Sequence, residues 1–487
     1  MMNQNADKCI RDGSSIPSKI HLPRIMFAAP SSGSGKTMIT CGILQALSDR
    51  GLRPASFKCG PDYIDPMFHS KVIGTKSKNL DTFFTDRETT RYLFARTAKE
   101  AGISVLEGVM GFFDGIGGTS VKASSYDLAS ITDTPVILIV NARGMSLSVI
   151  PLIKGYLEYQ EQFGKKVIKG VILNQTTKMT YLMLKEKIEQ QTGIRLLGYV
   201  PRMDDCVIES RHLGLVTPDE ISGLQESLKK LSTVLEECID FEELLSLAQE
   251  AEDFCEKDLQ MPEAAGCCKM NWNIRPRIAV AKDEAFCFYY EDNLELLRML
   301  GTELVPFSPL RDPCLPENIG GLLLGGGYPE LYAEALEKNK ELRHQIRQAI
   351  EDGLPYLAEC GGFMYLHESM EDMDKVKHEM CGVVKGESYH TPKLGRFGYI
   401  ELSVNTNAGI QLLKEGDTIR GHEFHYFDST NPGSDYIACK PSGKRNWECI
   451  MGTSRSAAGY PHLYYWSNPS FAAGFVRSAA EYTAKII

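Results

Sequence analysis

With 487 residues, 43% of them apolar and 24% charged, the chain has the composition of an ordinary globular protein long enough for two or three domains. A formal net charge of −10 argues against nucleic acid or a membrane surface as partner, because both would repel an acidic protein. No run of about 18 apolar residues occurs, so no membrane-spanning helix is expected. The fourteen cysteines include no CxxC pair and follow no secretory signal, which suits reduced thiols in a cytoplasm better than a disulfide framework.

Residues 1–23 are polar and read as a loose N-terminal extension. From residue 24 onward, near-continuous apolar runs follow one another: RIMFAA (24–29), ASFKC (55–59), ISVLEG (103–108), PVILIV (135–140), KGVILN (169–174) and RLLGYV (195–200). Such runs suit parallel strands buried on both faces. Between several of them lie helical segments, for example TMITCGILQALSDRG, where Gly51 is a plausible C-terminal cap. This is the pattern of a doubly wound α/β domain, placed at 24–255. From 218 to about 258 the pattern turns helical and strongly acidic, and that charge run reads as a solvated helix face. Residues 256–274, with the Cys267–Cys268 pair, read as a linker; a second α/β domain follows at 275–487, beginning with RIAVAKD (277–283).

The first strand runs into a glycine-rich turn and then a helix, RIMFAAPSSGSGKTMITCGIL. Backbone N–H groups of Ser32, Gly33, Ser34 and Gly35 can face a phosphate, and the helix N-terminus favours the negative charge. Lys36 can then reach the β/γ-phosphates, and the Thr37 hydroxyl can ligate Mg²⁺. Pro30 replaces the first glycine of the usual pattern. A ligand-free turn would leave the Lys-Thr at the helix start unexplained. Magnesium takes hard oxygen ligands, and two further strand ends supply carboxylates: FKCGPDYIDPMFH, with Lys58, Asp62 and Asp65, and VLEGVMGFFDG, with Glu107 and Asp114. Ligands of open α/β sheets bind beyond the strands' carboxyl ends. Any one of these aspartates suits a turn; their convergence on a phosphate loop favours a site. Asn174, at another strand end, is a candidate for reading an adenine edge.

In the second half, LPYLAECGGFMYLHE places Cys360 between a strand and a helix. A thiol on such an elbow is expected to be exposed, with its pKa lowered by the helix dipole. Ala358, Cys360 and Gly362 fit the small-x-nucleophile-x-Gly pattern. Backbone N–H groups of Gly361 and of Gly326 and Gly327 in GGLLLGGGYPEL are candidates for an oxyanion hole. The general base is open at this level between His462, in AGYPHLYYW, and His422 and His425, in RGHEFHYF. Together, a thiolate that releases ammonia from a carboxamide and a nucleotide site that activates a carboxylate make one amidating enzyme.

The motifs APSSGSGKT, FKCGPDYIDPMFHS, EGVMGFFDG, RGHEFHY and ECGGFMYL resemble the cobyrinic acid a,c-diamide synthase family of the anaerobic cobalamin pathway, over almost all of the chain from residue 24. The resemblance implies a dethiobiotin-synthetase-like P-loop domain followed by a class I glutamine amidotransferase domain. It implies amidation of the a- and c-acetate side chains of cobyrinic acid, with L-glutamine and ATP as co-substrates and Mg²⁺ as cofactor. It assigns Cys360 as nucleophile, His462 as its activating base, Lys36 and Thr37 to the nucleotide, Asp62, Asp65 and Glu107 to metal and substrate, and Tyr63 and Ile64 to the corrinoid; with the reading of the residues this puts Thr37, Asp65 and Glu107 at the metal and Lys58, Asp62, Tyr63 and Ile64 at the substrate. Many class I glutaminases carry a glutamate two residues after the histidine; Tyr464 stands there, which leaves a Cys–His dyad or a triad completed from elsewhere, and leaves the roles of His422, Glu423 and His425 open. A homodimer is compatible with the family. Hydrogenobyrinic acid and nickel-sirohydrochlorin are alternative substrates for the same chemistry. A P-loop switch protein of the septum- and plasmid-positioning type is the alternative of another class; it would carry a lysine where Ser31 stands and would have no thiol elbow.

Overall fold

A computed structural model describes residues 19–203, 218–263, 272 and 274–486. The first unit is built on seven parallel strands in the order Lys76–Leu80, Pro54–Cys59, Ile103–Glu107, Arg24–Ala28, Val136–Asn141, Ile168–Asn174 and Arg195–Val200. Six of them are the apolar runs of the sequence, buried because helices cover both faces. The helix Lys36–Asp49 lays Ile39, Ile43, Leu44 and Leu47 on one face. Helix Pro218–Cys238 crosses it at Gly42, where a Cβ would stand 2.5 Å from the Leu235 side chain and 2.7 Å from that of Leu231.

The seventh strand, KSKNL at Lys76–Leu80, has no apolar periodicity, yet four of its five residues are buried. It is an edge strand covered by the second unit. The Lys78 ammonium is enclosed there between Asp292 (2.6 Å) and Glu295 (2.5 Å). Burial pushes Asp292 up in spite of that lysine, whereas for Glu295 the pull of Lys78 outweighs burial and holds it low. The seam continues with Tyr399 donating to Asp81 (2.7 Å), Arg420 donating to the Phe83 carbonyl (2.8 Å), and Phe84 stacked on Tyr464 at 4.8 Å.

In the acidic region, Asp240 caps the helix Phe241–Gln249 by accepting from the Glu243 N–H. Leu228, Leu231, Leu235, Phe241, Leu244 and Leu247 are buried, and the acids point outward. They are not merely solvated: Arg50 clasps Glu236 and Glu242, and Arg91 holds Asp258. Lys19–Ile20 pairs antiparallel with Phe254–Cys255, and His21 bonds Asp253 and Gln249. Of the extension expected to run loose to residue 23, Lys19–His21 is therefore held against the first unit, and residues 1–18 lie outside the described residues. Of the expected linker at 256–274, Glu256–Leu259 forms a 3₁₀ turn of the first unit, while Cys267–Cys268 lies outside the described residues.

The second unit has a six-stranded sheet, ordered Glu303–Phe307, Arg277–Ala281, Gly321–Leu324, Tyr356–Glu359, Ala457–Gly459 and Met451–Gly452, parallel except for the last strand. Beside it stands an antiparallel sheet, ordered Asn446–Cys449, Tyr436–Cys439, Arg396–Val404, Thr418–His425 and His462–Leu463. Among the described residues no helix is long and apolar enough to cross a membrane.

Candidate active sites

At the phosphate end, Arg24–Ala28 delivers the loop and Lys36–Asp49 begins after it. Gly33 and Gly35 take left-handed φ values of 74° and 89°, and at Gly35 a Cβ would meet the Asn174 amide at 2.4 Å. Only glycine suits both demands. Asn174 donates to the Ser34 carbonyl at 2.8 Å and so braces the loop. Ser34 donates to the Ser31 carbonyl and Ser32 is exposed. Lys36 donates to the carbonyls of Ser31 (3.1 Å) and Met110 (2.6 Å). Burial, then Lys58, pushes its pKa down to about 8.

The carboxylates converge on this loop. Thr37 donates to Glu107 at 2.5 Å, and Lys58 lies 2.7 Å from Glu107 and 2.5 Å from Asp65. Burial raises Glu107 to about 7 against the pull of Lys58. Burial also raises Asp62 to about 6, with Asp65 adding to it. For Asp65, burial is outweighed by Lys58 and the group is held low. Glu107 Oε2 is buried without a hydrogen bond, 3.5 Å from His69 Nε2. His69 is pushed down to about 4 by burial and is a neutral neighbour. Among the described residues no set of three His, Cys, Asp or Glu side chains forms a metal cage.

Beside Asp114 opens a cleft of about 750 Å³ walled by Phe113, Val121, Tyr156, Tyr159 and Phe163. Sequence reasoning missed it. The legible signal was the i, i+3, i+7 spacing of Tyr156, Tyr159 and Phe163, which reads equally as a core stripe.

At the thiol end, Tyr356–Glu359 ends in Cys360 at φ 48°, ψ −105°, and the helix Gly361–Leu366 follows. A non-glycine residue at that φ is strained, and the surroundings fix it: Cys360 N–H donates to the Gly459 carbonyl at 2.8 Å. At Gly362 a Cβ would stand 2.2 Å from the Leu324 carbonyl, and at Gly361 one would stand 3.2 Å from Gly327 N. The glycine turn thus lies against the elbow. Cys360 is not exposed as expected; it retains 7% exposure. Nor is its thiol acidified: burial, then Glu330, pushes it up. Dehydration and neighbouring carboxylates outweigh the dipole of a six-residue helix.

His462 is buried against Gly326, where a Cβ would stand 2.4 Å from the imidazole Cε1. Burial pushes its pKa down to about 3, with His422 and His425 adding to the effect. His425 is engaged by the Phe427 carbonyl (2.5 Å), by Glu423 (3.3 Å) and by stacking on Tyr460 at 4.2 Å. His422 is the strand partner of His462. Tyr464 turns away to Asp292 and Phe84. The half-buried Tyr63 ring stacks on Phe288 (5.0 Å) and Tyr290 (4.5 Å) and lies 5.2 Å from His462. Ile64 packs partly buried on the core of the first unit. The turn 62–65 therefore touches both centres, with Asp65 at Lys58 and Tyr63 at His462.

Residues 25–215 match the CobQ/CobB/MinD/ParA nucleotide binding domain, and residues 277–470 match the CobB/CobQ-like glutamine amidotransferase domain. The cobyrinate a,c-diamide synthase of Caldanaerobacter subterraneus subsp. tengcongensis is 40% identical over 90% of this chain and 94% of its own. That of Dehalococcoides mccartyi (strain CBDB1) is 38% identical over 95% and 99%, and that of Clostridium acetobutylicum 39% over 93% and 99%. A phosphate loop and a thiol elbow on two α/β units, matched in this order over nearly the whole length, place the chain in the cobyrinate a,c-diamide synthase family.

Proposed function

We propose that the chain amidates the a- and c-acetate carboxylates of cobyrinate with ammonia drawn from glutamine, at the expense of ATP. The observation that carries this reading is the pairing of a strained thiol elbow with a carboxylate-ringed phosphate loop across one buried seam. The Cys360 Sγ attacks the glutamine carboxamide carbon. His462, held neutral by burial, takes the thiol proton and passes it to the departing ammonia. Backbone N–H groups of Gly327 and Gly361 stabilise the oxyanion, a contact worth roughly 3 kcal/mol of barrier. Water then cleaves the thioester to glutamate.

In the first unit, Lys36 and the loop N–H groups of residues 32–35 hold the phosphates. Thr37 and Glu107 fit Mg²⁺, since a hydroxyl and a carboxylate meet there with one carboxylate oxygen unpartnered; the ion supplies charge neutralisation when bound. Lys58 and Asp62 stand where the substrate carboxylate accepts the γ-phosphoryl group. Ammonia attacks the resulting acyl phosphate, and phosphate leaves.

Purified protein incubated with Mg²⁺, ATP, glutamine and cobyrinic acid is expected to yield the diamide. Cys360→Ala is expected to lose the glutamine reaction by at least about 100-fold and to keep the ammonia reaction within twofold. Loss of both in a folded variant overturns the two-site reading. Preferential turnover of hydrogenobyrinic acid or nickel-sirohydrochlorin would reassign the substrate.

A further inference from the structure

The glutaminase site has a base but, at the usual position, no acid to orient it. His462 Nδ1 is buried and has no hydrogen-bond partner. Among the described residues one carboxylate lies within 4.0 Å of a His462 nitrogen: Glu359, with Oε2 at 3.9 Å from Nδ1. Among the other acids near the elbow, Glu330 bears on the Cys360 thiol and forms no ion pair with His462. Glu423 is engaged by His425 and Trp447, and Asp292 by Lys78 and Tyr464.

Glu359 is built in from both sides. It is the residue before the nucleophile, on the strand Tyr356–Glu359, paired in register with Gly459. Its Oε1 accepts from the Tyr465 hydroxyl at 3.1 Å, and its carboxylate also accepts from the Leu463 N–H. The carboxylate thus clasps the segment that carries His462 to the elbow that carries Cys360. Around the pair stand His422 and His425 from the neighbouring strand, Tyr63, and the phenols of Tyr289 and Tyr465. Among the described residues no lysine or arginine forms an ion pair with Glu359. Burial pushes Glu359 up to about 8 and His462 down to about 3, shifts that an imidazolium–carboxylate contact would reverse together.

We propose that Glu359 is the positioning carboxylate of the glutaminase site, accepting a hydrogen bond from His462 Nδ1–H and so presenting Nε2 to the Cys360 thiol. The inference rests on the reading of Cys360 and His462 as nucleophile and base. A closure of about 1 Å from 3.9 Å brings the pair to hydrogen-bond distance. When Nε2 takes the Sγ proton, the imidazolium forms against Glu359; when Nε2 releases it to ammonia, the pair returns to its resting state. Glu359 fixes tautomer and ring orientation and carries no proton between substrate atoms.

The test compares full-length Glu359→Gln, Glu359→Asp, Cys360→Ala and His462→Ala. For Glu359→Gln the expected result is glutamine-dependent kcat lower by about 100-fold with KM for glutamine within threefold. Alkylation of Cys360 by iodoacetamide should be at least about tenfold slower, while ammonia-dependent amidation stays within twofold. Glu359→Asp should recover about tenfold of the loss. A purely structural clasp would lower ammonia-dependent activity and folding stability alongside and would give no recovery with Asp. Glutamine turnover and alkylation in Glu359→Gln within threefold of wild type, with Cys360→Ala and His462→Ala inactive, overturns the proposal and leaves the glutaminase reading standing. Retained glutamine turnover in Cys360→Ala or His462→Ala overturns that reading itself. Should Glu359→Gln not fold, Glu359→Asp decides: a kcat lowered about tenfold at unchanged KM supports the proposal, and an unchanged kcat overturns it.

Discussion

Lys78→Met is the perturbation that most directly interrogates the seam between the two units. The ammonium sits 2.6 Å from Asp292 and 2.5 Å from Glu295, with 1% of its side chain exposed. After the substitution Glu295 keeps Arg96 at 3.1 Å, but among the described residues Asp292 keeps as hydrogen-bond partner only the Tyr464 hydroxyl at 3.3 Å, with Arg96 acting at longer range. The cost therefore falls on one uncompensated buried carboxylate, and breaking a buried pair from one side costs about 3–5 kcal/mol. That is a large share of the roughly 5–15 kcal/mol that holds a typical protein folded. Urea unfolding followed by tryptophan fluorescence is a suitable assay, because Trp466 lies across the seam with its ring 5.5 Å from Tyr92. The double variant Lys78→Met/Asp292→Leu should recover most of the loss, since an apolar replacement of both partners is often neutral. A loss below about 1 kcal/mol in the single variant, or no recovery in the double, refutes the reasoning.

Lys36→Met should abolish ATP-dependent amidation from glutamine and from ammonia alike, by at least about 100-fold in kcat/KM, since the phosphates lose their cation at a buried site; ammonia-fed turnover is the check. Glu107→Gln should do the same and also change the pH dependence of stability. The folded-state pKa of Glu107 is raised to about 7, so its stabilising contribution is complete below the ordinary carboxylate range and is lost as pH rises through 7. Thermal melts at pH 5 and pH 8 should show the variant gaining on wild type by about 1–3 kcal/mol at the higher pH; a variant that loses ground to wild type as pH rises would contradict the sign. Gly362→Ala drives a Cβ to within 2.2 Å of the Leu324 carbonyl. It should cost about 1–3 kcal/mol in urea titrations and selectively depress glutamine use, because the elbow must shift.

The parallel sheet of the first unit was legible because strands covered on both faces must be apolar along their length, as in PVILIV. The phosphate loop and the elbow were legible because each binds its residue types to a local turn. Lys76–Leu80 was not legible, because its burial is conferred by Asp292 and Glu295, more than two hundred residues away. The strand Thr418–His425 was read for its histidines as a source of the base and not as a strand, because its inward positions carry Glu423 and His425 where an alternating pattern would show apolar side chains. Tyr63 was placed by resemblance at a substrate cleft, and only packing across the seam puts its ring at His462. The thiol's burial likewise depends on what the rest of the chain folds over it. Glu359 was in plain view beside Cys360, but a single acid at a strand end carries no signal until His462 is brought to it.

The antiparallel pairing of Lys19–Ile20 with Phe254–Cys255 brings the start of the synthetase unit beside its end. A unit whose two ends emerge side by side can be joined to, or lifted out of, a longer polypeptide without stretching its neighbour. Such closure leaves the nucleotide-using half attached to the rest of the polypeptide at a single place, while the buried Lys78 seam holds it to its partner unit.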